Sequence, residues 1–372
     1  MFTKDIDSCV SISGKYKRFV SPTYNYIFNM ENGFLLRWGA SKDDDPQIAP
    51  GPEIMDLEIS VNGCQGVGVT KDGGKGPSPC AFCYKSNTSG PPTNMSFETF
   101  KAIFDKMPKM LTQIAFGITG VQTNPDFLKM MQYSRANNVI PNFTLTGIDL
   151  TDALLDEFSK VVGAVAVSCY SSNKNLCYDT IKKFTDSGVT QTNMHVMVSK
   201  ETLDFTKEVI EDIGGTQKEV GANSGADSRL QKLNAVVFLG LKPKGRAKGV
   251  FNVIDESDFA NLVKVCMEKK LKFGFDSCSA PKFERAIKGM EREKELTQMS
   301  EPCESSLFST YINVAGECWN CSFSEDEEGV EPVNVLEAED FIRDVWHSSQ
   351  VEKFRKRLLG NERRCPIFKI DK

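Results

Sequence analysis

From residue 54 to residue 275 the chain alternates short apolar runs with longer amphipathic stretches, and this rhythm constrains the fold more than any other feature. Strands that lie parallel need a crossover of a dozen or more residues, usually a helix. Strand-like runs occur at 55–61, 111–116, 142–146, 164–168, 192–198, 235–241 and 271–275. Between them, one helix starts from Ser96 as its N-cap with Glu98 in the first turn, and Pro125 opens a second. Further helices read over 150–160, 176–187, 202–213 and 255–269. About six such βα units predict an α/β fold built on a parallel sheet.

The flanks differ. Residues 1–53 form an N-terminal extension in which strands at 24–28 and 34–38 are expected to make a tight hairpin through Asn32-Gly33, followed by a polar linker. Past residue 275 the rhythm stops and cysteines become dense, which divides the chain into 1–53, 54–275 and 276–372. The polar, glycine-containing segment 214–231 reads as a mobile loop. The acidic run 325–328 reads as a solvated loop, and the basic run 353–364 as the solvated face of a helix.

The chain carries twelve cysteines. Its first residues lack the basic and apolar regions of a secretory signal, and no apolar run is long enough to span a membrane. A reducing cytoplasm is therefore expected, where free thiols and metal clusters are favoured over disulfides. The net charge of −5 argues against a nucleic-acid partner. With only His195 and His347 to supply imidazole, thiolate has to carry any metal chemistry.

Cys64, Cys80 and Cys83 lie in a glycine-rich loop directly after the first strand of the alternating region. Three thiolates can hold three irons of a [4Fe-4S] cube and leave the fourth iron open to an outside ligand, whereas an electron-transfer cluster normally takes four. Phe82 is placed to shield such a cluster and to flank an adenine-like ring. In the C-terminal third, Cys318-Trp319-Asn320-Cys321 also suits half of a tetrahedral zinc site. Cys9, Cys169, Cys177 and Cys266 stand alone and read as small buried hydrophobes.

A strand, a cysteine loop ending in Cys80-Ala81-Phe82-Cys83 and repeated βα units resemble the radical S-adenosylmethionine (SAM) superfamily. The usual loop spaces its cysteines by three and two residues; here the spacing is fifteen and two. The resemblance implies a partial (βα)6 barrel with SAM and a [4Fe-4S] cluster at Cys64, Cys80 and Cys83. It carries SAM contacts onto Gly117 and Gly120, in a stretch whose family counterpart, Gly-Gly-Glu-Pro, includes a glutamate absent here. It extends them to Thr146 and Ser168 at strand ends. His195 reads either as a hydrogen-bonded core histidine or as a further cofactor contact, and the loop 242–246 as either a cofactor-side or an ordinary exposed segment.

The later cysteines resemble the SPASM or twitch extension of that superfamily. On that alignment Cys278, Cys303, Cys321 and Cys365 hold an auxiliary [4Fe-4S] cluster, Gly316 sits in a hairpin delivering one ligand, and Cys318 is left over as an alternate ligand or a free thiol. The implied activity is reductive cleavage of SAM, with an electron from a donor such as flavodoxin or ferredoxin. The 5'-deoxyadenosyl radical so formed takes a hydrogen atom from the substrate. A ribosomally made peptide is the leading substrate, to be crosslinked, epimerised or oxidised. A small molecule is the alternative, and a non-catalytic metal scaffold the remaining one.

Overall fold

The computed structural model describes residues 6–68, 79–214, 226–368 and 370. The N-terminal extension is a four-stranded antiparallel sheet of β1 (Val10–Ser13), β2 (Tyr16–Val20), β3 (Asn25–Asn29) and β4 (Leu35–Trp38), so the expected hairpin is only its second half. Nor is the turn a two-residue one. Gly33 alone takes a left-handed φ, of 72°, while Asn32 uses its side-chain oxygen to accept the Phe34 N–H at 3.0 Å, and residues 30–34 form the connection. The sheet's inner face, Phe19, Tyr24, Tyr26 and Phe28, packs on Met110, Leu307 and Phe308. Lys17 fastens it further by donating to the carbonyls of Leu111 (2.5 Å) and Asn138 (3.2 Å).

The main sheet opens with β5 (Ile54–Glu58). The strand expected over 55–61 breaks there, because Ile59 turns its N–H to Gly117 and its carbonyl to Met95, and β6 (Ser60–Val61) pairs instead with β7 (Thr93–Asn94). Then come α1 (Phe97–Phe104), β8 (Gln113–Gly117), α2 (Phe127–Ala136), β9 (Ile140–Leu145), α3 (Asp152–Val161), β10 (Ala164–Cys169) and α4 (Lys174–Asp186). They are followed by β11 (Gln191–Val198), α5 (Leu203–Ile213), β12 (Ala235–Gly240), α6 (Glu256–Glu268) and β13 (Phe273–Phe275). Ser96 caps α1 by accepting the Thr99 N–H at 3.1 Å, as its sequence position predicts. Pro125 does not open α2, which begins two residues later, because Asn124 accepts the Asp126 N–H and holds Pro125 in the turn before it. The mobile-loop reading falls mainly on 215–225, outside the described residues; beside it, Ser228–Leu230 forms a short 3-10 turn anchored by Arg229 on Asp227 and Asp179.

Seven parallel strands run in the order β13-β12-β11-β10-β9-β8-β5, so the fold is the expected α/β type with a parallel sheet. Strand β11 shows how its faces divide: Thr192, Met194, Val196 and Val198 are buried, while Gln191, Asn193, His195 and Met197 alternate with them on the more open face. An aromatic row, Phe100, Phe116, Phe127, Phe143 and Phe158, runs through the core with successive ring centroids 5.2–6.0 Å apart.

After α7 (Ala280–Ala286) and α8 (Glu293–Gln298), the C-terminal third continues this same sheet on its other edge. There β14 (Ser309–Ile312) pairs parallel to β5, followed by β15 (Glu317–Trp319) and β16 (Val333–Asn334), both antiparallel. Gly316 sits in the β14–β15 turn with φ 82°, where a side chain would be strained. The final helix, α9 (Ser349–Leu359), does not simply present a solvated basic face. Arg355 is 1% exposed, stacks on Trp346 and donates to the Ser306 carbonyl at 2.5 Å, since its guanidinium can satisfy carbonyls that the loop 303–308 leaves unpaired. Among the described residues no helix is long and apolar enough to cross a membrane.

Candidate active site

The first cysteine loop leaves the C-terminal end of β5 and is stitched across its base: Cys64 N–H donates to Thr88 at 3.0 Å and Gly63 N–H to Gly90 at 2.9 Å. Residues 69–78, inside the long spacing, lie outside the described residues. Cys80 and Cys83 form a turn in which the Cys83 N–H donates to the Cys80 carbonyl at 3.2 Å. Arg246, from the loop after β12, clamps this turn. Its Nε donates to the Cys80 carbonyl at 2.9 Å, its Nη2 to the Asn87 carbonyl at 2.8 Å and its backbone N–H to the Cys83 carbonyl at 3.1 Å. Gly245, with φ 58°, lets the two loops touch, because a Cβ there would collide with the carbonyls of Cys83 and Tyr84.

Burial pushes the Cys64 and Cys80 thiols up, against the N–H groups of Gly66 and Val67, which hydrogen-bond the respective sulfurs. Each also feels Cys83 and the Arg246 guanidinium, so the three thiols share one electrostatic site. N–H donors and a nearby cation favour thiolate, the form that ligates metal.

Phe82 packs on Tyr170 at 4.9 Å and edge-on to Phe251 at 5.9 Å. Tyr170, hydrogen-bonded to Ser168 and within electrostatic reach of Cys80 and Cys83, is a wall residue that sequence reasoning missed; an aromatic directly after the end of β10 is the signal that marks it. Gly117 lies against Glu58 in the neighbouring strand, and a Cβ on Gly120 would come within 2.7 Å of Asp149, whose carboxylate accepts the Gln122 N–H at 2.9 Å. The carbonyls of Thr146 and Ser168 are tied together by the Asn173 side-chain amide. His195 stands between Ser168 and Val237 in register, and burial lowers it to about 4, so it is neutral at pH 7.

The acidic run is not a solvated loop throughout. Glu325 turns inward to pair with Lys85, which also meets Glu58 at 2.9 Å and Tyr311 at 2.9 Å, because the Lys85 side chain is only 11% exposed and its ammonium has three donors to satisfy. Deeper in, burial raises Asp56 to about 6 and Glu304 to about 7, the latter also because Asp56 is near it.

The second cysteine set also comes together. Burial raises Cys278 and Cys303 to about 12, and Cys278 feels Lys242, Cys303, Cys321 and Cys365. N–H groups point at these sulfurs too: Ser305 at Cys303, Phe323 and Ser324 at Cys321, and Phe368 at Cys365 (3.3 Å). Arg363 plays the part that Arg246 plays in the first loop, donating to the carbonyls of Cys303 (3.1 Å) and Pro302 (2.7 Å). Cys318 stays apart: it is buried in the main core and bonded to Thr310 at 3.2 Å, on the strand β15 that Cys321 has already left. Among the described residues no three His, Cys, Asp or Glu side chains converge closely enough to chelate a single metal ion.

The sequence matches no family model and no curated protein. Solved structures do match. The Streptococcus suis protein SuiB bound to its precursor peptide SuiA superposes with a TM-score of 0.65 at 11% identity, covering 92% of this chain and 90% of that one. SuiB bound to S-adenosylmethionine gives 0.64 at 10% identity over 93% and 90%. The protein anSMEcpe with bound AdoMet and a peptide gives 0.55 at 11% identity over 82% of each chain. The chain has the radical SAM fold. The radical SAM fold accounts for the arrangement along the strand ends: the cysteine loop after β5, Gly117 at the end of β8, Thr146 after β9, Ser168 on β10 and Arg246 after β12 all lie at C-terminal ends of parallel strands.

Proposed function

We propose that this chain is a radical SAM enzyme that modifies a peptide. The observation that carries the reading is the clustering of Cys64, Cys80 and Cys83 at the strand ends of a radical SAM fold, with amide donors aimed at two of the sulfurs. The donor set fits an iron–sulfur cluster: thiolates, N–H···S bonds and a guanidinium nearby are the features that stabilise such clusters.

When bound, such a cluster supplies the single electron that splits the carbon–sulfur bond of SAM into methionine and a 5'-deoxyadenosyl radical. The protein's own part is binding, orientation and exclusion of water. Arg246 holds the Cys80–Cys83 turn in shape, and Phe82, Tyr170 and Phe251 form an apolar wall beside it. Neutral His195 offers a hydrogen bond without adding charge. Cys278, Cys303, Cys321 and Cys365 would hold the auxiliary cluster in the segment 276–372, with Cys318 as a free core thiol. The peptide substrate class rests on SuiB and anSMEcpe, whose structures hold peptides.

Anaerobic reconstitution should load about eight irons per chain, and incubation with SAM and a reductant should release 5'-deoxyadenosine. Cys83→Ala should abolish that product. Stoichiometric zinc in place of iron, or full SAM cleavage by Cys83→Ala, contradicts the reading. A cavity that cleaves SAM only with small molecules, and never alters a peptide encoded beside the gene, assigns the substrate to the other class.

A further inference from the structure

Lys242, two residues after β12, is a deeply placed cation beside the second cysteine set, with a side chain 5% exposed, and buried Lys282 walls the same cavity. A buried ammonium is costly unless anions surround it. Asp276 forms an ion pair with it, and the ammonium stands 5.0 Å from the centre of the Phe323 ring. Phe323 follows Cys321 by two positions, Asp276 precedes Cys278 by two, and Lys242 and Cys278 wall the same cavity of about 20 Å³. The cation thus shares a cavity with Cys278 and faces the ring two residues past Cys321, while its immediate carboxylate partner balances only one charge.

We propose that Lys242 is the built-in counter-cation of the four-thiolate site, setting the potential at which its cluster accepts an electron, and that Asp276 positions the ammonium. The inference rests on reading these four cysteines as cluster ligands. A cube held by four thiolates is anionic and gains one more negative charge on reduction, so a fixed positive charge beside it favours the reduced form. Burial leaves little water to screen the interaction. Lys242 is a positioning and tuning residue in this scheme, since nothing requires it to touch substrate.

The test uses the full chain with Cys64, Cys80 and Cys83 all changed to Ala, so that only the C-terminal site loads. Iron is counted after anaerobic reconstitution, with about four per chain expected, and the midpoint potential is read by electron paramagnetic resonance during a dithionite titration. In that background Lys242→Met should make reduction at least about tenfold less favourable, a midpoint lower by about 59 mV for a one-electron couple. Lys242→Arg should restore most of the difference, because it returns the charge.

A loaded Lys242→Met cluster with the parent's midpoint overturns the inference. If Lys242→Met fails to load iron, Lys242→Gln, which keeps a polar head at the same depth, decides: a midpoint equal to the parent's overturns the inference, and a lowered one supports it. A parent that takes up no iron overturns the ligand reading itself, and that failure is distinct from a loaded cluster indifferent to Lys242.

Discussion

Replacing Arg246 with Ala should loosen the first cysteine loop while leaving the barrel intact. The guanidinium makes two hydrogen bonds to backbone carbonyls, of Cys80 and Asn87, that no other described side chain makes. Bonds from a charged donor contribute about 1.5–3 kcal/mol each, and because Arg246 is only partly buried the lower figure applies. Two of them give about 3 kcal/mol, or roughly a 150-fold rise in the population in which residues 80–88 open locally. The backbone N–H to Cys83 survives the substitution, so opening should stay local. Native-state hydrogen exchange on the metal-free protein reads this directly, through the amides of Cys83 and Ser86, which donate within the turn. Arg246→Lys should recover about half of the effect, since an ammonium cannot span both carbonyls in the fork geometry. Core amides of β10 and β11 serve as the internal standard. If Arg246→Ala leaves the exchange of Cys83 and Ser86 unchanged relative to that standard, the clamp is not what orders the loop.

Three further outcomes follow from the same geometry. Arg37→Ala should destabilise the docking of the N-terminal sheet by about 3–5 kcal/mol, because it strands the fully buried Glu53 that Arg37 meets at 2.9 Å; an unchanged urea midpoint would refute this. Tyr24→Phe, which removes one bond of 2.6 Å to the same carboxylate, should cost about 1–3 kcal/mol and no more. Asp56, raised to about 6 by burial, is protonated more readily folded than unfolded, so its contribution to stability is lost as pH rises from about 4 to about 6 and stays lost above. Asp56→Asn should therefore raise the melting temperature of metal-free protein at pH 7.5, by up to about 3 kcal/mol of stability, but not at pH 4. Equal shifts at both pH values count against that account.

Local periodicity was enough to place the parallel strands, the Ser96 cap and the loop carrying Cys64, Cys80 and Cys83, since side-chain alternation and capping are written within a few residues of one another. It misplaced the start of α2 and overlooked β1, β2 and β7; of these, Thr93–Asn94 is short and exposed, carries no apolar signature and exists only through its partner. Charge runs were read as solvated because sequence shows a charge and not what faces it. Glu325 and Arg355 are held inward by Lys85 and by the Ser306 carbonyl, neither of which is near them in the chain.

The order of residues alone determined that this chain alternates strand and helix and that its candidate ligand thiols fall in two groups, because those properties depend on spacing. Tertiary structure alone decided that β14 extends the barrel sheet beside β5, that Cys318 and Cys321 part company, and that Lys242, Arg246 and Arg363 attend the cysteines. Pairing across an edge and compensation of buried charge are contacts between distant segments, and they exist only once the chain has closed on itself.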